Sequence, residues 1–201
     1  MGRGSKVESD IRAELYEHTL LEIILQNPAV KAILDSQPFP DGQPWYLASG
    51  AIVQNVWNRL TGRAVEDGIK DYDIIYFDSS DLRKETEETH EQRLRSLFSH
   101  LGIDIDVTNE AAVHMWFPKK FGVEISPYTS CEDAIDSWNY CAAVGVTKKD
   151  GKYSVYAPYG LHETFEMRVR PNKRIFTRGR VYTKVKFMEV SLGCITRNSL
   201  G

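Results

Sequence analysis

The chain has 201 residues, of which 42% are hydrophobic and 26% charged, with a net charge of −3. That is ordinary soluble globular material, long enough for one sizeable core, and one domain spanning 1–201 is expected. Three cysteines, Cys131, Cys141 and Cys194, are odd in number and lack C-x-x-C spacing, which excludes a disulfide framework and a zinc site and fits a reducing compartment. No apolar run approaches the eighteen or so residues of a membrane span, and residues 1–6 lack the apolar core of a signal peptide. A cytoplasmic protein with no membrane partner is expected.

In chain order, apolar residues at helical spacing from Ile11 to Leu34 predict two helices over 8–35, broken at Asn27-Pro28. After a turn-rich loop over 38–44, Trp45-Tyr46-Leu47-Ala48 reads as a short buried strand. Ser49-Gly50 then opens a helix over about 51–60, which Thr61-Gly62 closes. The run 70–77, rich in aromatic and β-branched residues, predicts a strand. Residues 81–101 read as a solvated helix packed through Leu94, Leu97, Phe98 and Leu101, and Gly102 caps it. Ile103-Asp104-Ile105-Asp106-Val107 alternates strictly and predicts a strand with both aspartates on one face.

Beyond it, Thr108 or Asn109 caps a helix through His114 and Trp116 toward Pro118, and Ser130 begins another short helix. Strands over 141–147 and 152–157 flank the hairpin signal Lys149-Asp150-Gly151. Residues 168–186 carry eight basic side chains and no acid, a surface suited to phosphate or to the chain's own acidic half. No internal repeat or low-complexity segment divides the chain.

The chemistry concentrates at Ser49-Gly50, Asp71-Tyr72-Asp73 and Asp106. Strand residues two apart share a face, so Asp71 and Asp73 can place two carboxylates on one divalent ion, Mg²⁺ or Mn²⁺. Without such a cation the pair repels and one acid stays protonated. Ser49-Gly50 between strand and helix leaves backbone N–H groups and a partial positive charge for the phosphates of an NTP. Asp106, from a neighbouring strand, can hold a second metal or take the proton of an attacking hydroxyl. Asp104 shares its face and is the alternative third acid or its partner.

That ordered set resembles the nucleotidyltransferase superfamily of DNA polymerase beta. The run from Asp106 to Trp116 resembles, more narrowly, a small family of nucleotidyltransferase-like proteins, with further hallmarks at Tyr156-Ala157-Pro158-Tyr159-Gly160-Leu161 and Val169-Arg170-Pro171-Asn172. The resemblance implies an α/β (α+β) fold, a mixed sheet flanked by helices, with a core over about 45–107 and a C-terminal extension over about 108–201. It also implies metal-dependent transfer of a nucleoside monophosphate to a hydroxyl-bearing acceptor, which is a small molecule, a protein or an RNA end. Asp71, Asp73 and Asp106 would be catalytic and metal-binding, and Ser49, Gly50 and Arg170 would meet the phosphates. His114 and Trp116 would be contacts for the base or acceptor, or simply packing. The Ser-Gly order departs from the usual Gly-Ser. An inactive binding module of the same fold and a nuclease using the same acids are the alternatives; the phosphate cradle weighs against the nuclease. His162 reads as a cap and the cysteines as buried apolar residues.

Overall fold

The computed structural model describes residues 3–39, 42–172 and 174. Lys173, Cys194 and the basic residues from Arg178 to Lys186 lie outside that range, so the basic surface expected over 168–186 is described only as far as Arg168, Arg170 and Arg174. Two helices, α1 (Arg3–Ile24) and α2 (Pro28–Ser36), meet at Asn27. The Asn27 side chain accepts from the N–H groups of Ala29 and Val30, and Pro28 at the first helical position needs no partner for a missing N–H. Asn27 Nδ2 also donates to the Tyr72 hydroxyl at 3.2 Å. The break in the helical pattern is therefore also a tie to the sheet.

Strand β1 (Trp45–Ala48) leads through Ser49 into α3 (Gly50–Thr61), and Gly62 ends that helix in the left-handed conformation. Then come β2 (Tyr72–Tyr76), α4 (Lys84–Leu97) and β3 (Ile105–Asn109). The chain continues through α5 (Val113–Phe121), α6 (Cys131–Ile135), the hairpin β4 (Gly145–Lys149) and β5 (Lys152–Tyr156), and α7 (His162–Phe165). The five strands form one sheet in the order β3-β2-β1-β4-β5, with β2 and β3 parallel and every other pair antiparallel. The fold is α+β, a mixed sheet with helices. Among the described residues no helix is long and apolar enough to cross a membrane.

Period-two alternation splits the sheet into two chemically different faces. Trp45, Leu47, Tyr72, Ile74, Tyr76, Ile105 and Val107 join α1, α2 and α3 in the main core, where Leu20, Ile33, Ile52 and Val56 are wholly buried. Each such side chain contributes roughly 1.5–3 kcal/mol of burial. The other face carries Ala48 and Ile75, covered by Cys131 and Ile135 of α6. Gly145 makes that cover possible: a Cβ there would stand 2.8 Å from Ile135 Cδ1 and 3.0 Å from Tyr46 Cβ. At the hairpin, Asp150 and Gly151 both take positive φ, 50° and 75°, as a two-residue primed turn requires.

Several boundaries differ from the sequence reading. β2 begins at Tyr72, so Asp71 stands just before the strand. The stretch predicted as a strand from 141 opens instead as a 3₁₀ turn, Tyr140–Ala142, because Ala142 and Cys141 are drawn into the core against α7 and the strand starts only at Gly145. β3 starts at Ile105 rather than 103. The charged helix stops at Leu97, which is 48% exposed; Leu94 and Phe98 do the packing, and a 3₁₀ turn follows. Asn109 caps the next segment as expected, yet it first forms a 3₁₀ turn, Glu110–Ala112, before α5.

Candidate active site

The strand register lines up one row across the whole sheet. Asp106 pairs with Asp73, Asp73 with Ala48, Ala48 with Gly145 and Gly145 with Tyr156. Residues paired this way share a face, and neighbouring strands lie about 4.8 Å apart, so Asp73 and Asp106 project side by side. They do so on the face opposite the main core, beside two residues with little or no side chain. Asp71 is exposed just ahead of β2.

The turn after β1 closes over Asp73. Ser49 holds φ 44° and ψ −98°, a conformation costly for a residue with a Cβ. Its N–H donates to the Val144 carbonyl at 3.0 Å and its carbonyl accepts from Val53 N–H at 2.9 Å, which pins the turn between β4 and α3. The Ser49 side chain makes no capping hydrogen bond. The first N–H groups of α3 have no intrahelical acceptor, so this end offers donors and positive potential. A Cβ on Gly50 would lie 3.5 Å from Asp73 Oδ2. Glycine turn and carboxylate are thus in contact range, across 23 residues of sequence.

Buried amides fix the loop that delivers the aspartates. Asn58 Nδ2 donates to the carbonyls of Val65 and Asp67 at 3.1 and 2.8 Å, and Gln54 Nε2 donates to Asn58 Oδ1 at 2.8 Å. A single polar stripe on α3 therefore shapes the 63–69 loop and sets where β2 begins.

Burial pushes the Asp73 carboxyl up to about 7, and the charges of Asp71 and Asp106 add to the rise. Asp106 is also held above the usual carboxylate range, by desolvation first, then by Glu91 and Asp71. Among the described residues no three His, Cys, Asp or Glu side chains stand together as a ready-made metal cage. The charge coupling and the cage search differ because Asp106 turns toward Glu91, with which it shares a hydrogen bond. Coupling acts over several ångströms and does not need ligating distance. It is the better guide to which acids are neighbours.

Glu91 is the site neighbour that the sequence reading overlooked inside its solvated helix. The i, i+4, i+8 series Glu87, Glu91, Arg95 on α4 was the available signal. The same series separates the two candidate aspartates: Arg95 ion-pairs with Asp104, whereas Asp106 is the register partner of Asp73. Burial holds the Cys131 thiol far above its ordinary range, so it is no nucleophile at neutral pH.

Arg170 sits apart from the acids. Its guanidinium ion-pairs with Glu163 and lies 5.3 Å over the Tyr140 ring, while its carbonyl accepts from Tyr140 N–H. His114 and Trp116 lie on α5, which follows the far end of β3, three residues beyond Asp106. Trp116 leans on Phe117 and Phe121 with Lys120 over its ring. His162 opens α7 and pairs with Glu166 at 3.0 Å, a local helix contact.

Residues 40–191 match the model of a family described as nucleotidyltransferase. A solved structure, described as an NMR structure that reveals a CCA-adding enzyme head domain, aligns with a TM-score of 0.68 and 27% identity over 86% of each chain. No curated protein matches the sequence.

Proposed function

Because the chain belongs to the nucleotidyltransferase family, we propose that it moves the NMP group of an NTP onto a hydroxyl-bearing acceptor and releases pyrophosphate. The observation that carries this reading is the register pairing of Asp73 with Asp106 beside Gly50. The donor set fits Mg²⁺ or Mn²⁺: the atoms are hard carboxylate oxygens, and the buried Asp73 charge needs a counter-charge. Mg²⁺ typically binds through one or two carboxylates together with substrate phosphates, so a complete cage of protein ligands is not required. When bound, the ion supplies Lewis-acid polarisation of phosphoryl oxygens.

In this reading Asp71 and Asp73 hold the cation, and Asp106 completes the set and takes the proton of the acceptor hydroxyl. The acceptor oxygen forms a bond to the α-phosphorus as the α–β phosphoanhydride bond breaks, and pyrophosphate leaves. The N–H groups that open α3, with the Ser49 hydroxyl, orient the phosphates. Arg170 is the basic side chain assigned to them; it would exchange Glu163 for the triphosphate. His114 and Trp116 stay outside the proposal, since α5 departs from the other end of β3.

The acceptor is a small molecule, a protein or an RNA end. The similarity to a CCA-adding enzyme head domain makes RNA ends the first class to test. A reducing, cytoplasmic setting goes with the buried free thiols of Cys131 and Cys141. Labelled NTPs, Mg²⁺ or Mn²⁺ and fractionated RNA, protein and metabolite pools are the test. Label should pass to one pool with the wild type and to none with the Asp71→Ala, Asp73→Ala variant. Equal transfer by both would end the reading.

A further inference from the structure

α4 lies along β3 in the opposite direction, and its successive turns meet successive residues of the strand. Glu87 Oε2 accepts from Asn109 N–H at 2.7 Å, Glu91 hydrogen-bonds the Asp106 carboxyl, and Arg95 ion-pairs with Asp104. Arg95 also donates through Nε to Glu91 Oε1 at 2.9 Å. We infer that Arg95 and Glu91 are positioning residues that set the orientation of Asp106 for the cation and the acceptor. The inference rests on the reading of Asp106 as the third site carboxylate.

The physical argument begins with Arg95. A guanidinium is a planar fork with fixed donor directions. One arm takes Asp104 and another takes Glu91, so a single side chain holds one acid out of the site and aims the next into it. Without Arg95, Asp104 and Asp106 would be equivalent acids on one face of β3, two residues apart, each free to turn toward Asp73. Glu91, held by Arg95 on one side, bonds Asp106 on the other. Glu87 prevents α4 from sliding along the strand, because its bond to the backbone of Asn109 fixes the register between the two elements. A lysine at 95 could supply the charge but not the fork.

Partners of this kind typically change metal affinity by 10–100-fold when removed. The test is a calorimetric titration of Mn²⁺ into the full chain with a non-hydrolysable NTP analogue. The variants are Glu91→Ala, Glu91→Gln, Arg95→Met and Arg95→Lys, with Asp71→Asn, Asp73→Asn as reference. Glu91→Ala and Arg95→Met should weaken Mn²⁺ binding by about tenfold or more, and Glu91→Gln, which keeps a hydrogen bond to Asp106, should recover most of it. Arg95→Lys should fall between Arg95→Met and the wild type. In turnover, kcat should fall while KM for the NTP holds. The conservative variants keep the result readable if either truncation unfolds. Should all four variants bind as the wild type while the reference variant loses Mn²⁺, the positioning roles are wrong. Should the reference variant itself keep wild-type affinity, the reading of the site falls, and the inference with it.

Discussion

Asp73 on β2 and Asp106 on β3 are direct register partners in two parallel strands. Strand spacing alone puts them about 5 Å apart. Two carboxylates at that distance, one of them buried, carry a cost that depends on pH. The proton bound to folded Asp73 leaves near pH 7, against the ordinary value of 3.8. Its contribution to stability is complete below the ordinary carboxylate range and is lost as pH rises toward 7. With chelator present, the thermal midpoint should fall between pH 5 and pH 8. Asp73→Asn should flatten that slope and raise the midpoint at pH 8 by several degrees, as differential scanning calorimetry would record. An unchanged slope in the variant would place the titration elsewhere.

Gly145 lets α6 sit on the sheet. A methyl group there meets Ile135 and Tyr46 at 3.0 Å or less, and overpacking of this kind costs roughly 1–3 kcal/mol. Gly145→Ala should lower the urea midpoint, and adding Ile135→Val should restore part of it. Strictly additive losses in the double variant would show that the two sites do not touch.

Asn109 is the knot at the far end of the row. Its Oδ1 accepts from the N–H groups of Asp78 and Ala111, and its Nδ2 donates to the carbonyls of Asp78 and Asp81. It is nearly fully buried. Leaving buried groups without partners costs about 1–3 kcal/mol each, so Asn109→Ala should destabilise by at least that much in denaturant titrations. Asn109→Asp, which loses both donors, should be no better. A near-native midpoint for either variant would contradict the assignment.

Arg170 tests the phosphate side of the proposal. If it exchanges Glu163 for the triphosphate, Arg170→Ala should raise KM for the NTP several-fold with a smaller change in kcat. Glu163→Gln, which weakens the competing ion pair, should leave KM unchanged or lower it. Steady-state kinetics of the two variants separate this role from a purely structural one, in which KM would not move.

The order of elements and the Asn27, Gly62 and Asp150-Gly151 signals were readable in the sequence, because each is a local requirement of cap or turn. So was the face shared by Asp104 and Asp106, which follows from strand alternation. The choice between them was not. It depends on Arg95, which reaches β3 only after α4 has packed against it. Glu91 was hidden for the same reason, as one acid among many on a charged helix. The late start of β4 was equally illegible: Cys141 and Ala142 look like strand residues, and only the contacts of α7 turn them into a 3₁₀ turn.

The most direct measurement is the anomalous signal of Mn²⁺ in crystals grown with a non-hydrolysable NTP. The account predicts a peak bound by Asp71 and Asp73, next to Asp106, with the phosphates against the turn at Ser49 and Gly50. A nucleotide seated there with no cation on these carboxylates, or a cation bound at another place in the chain, would contradict it.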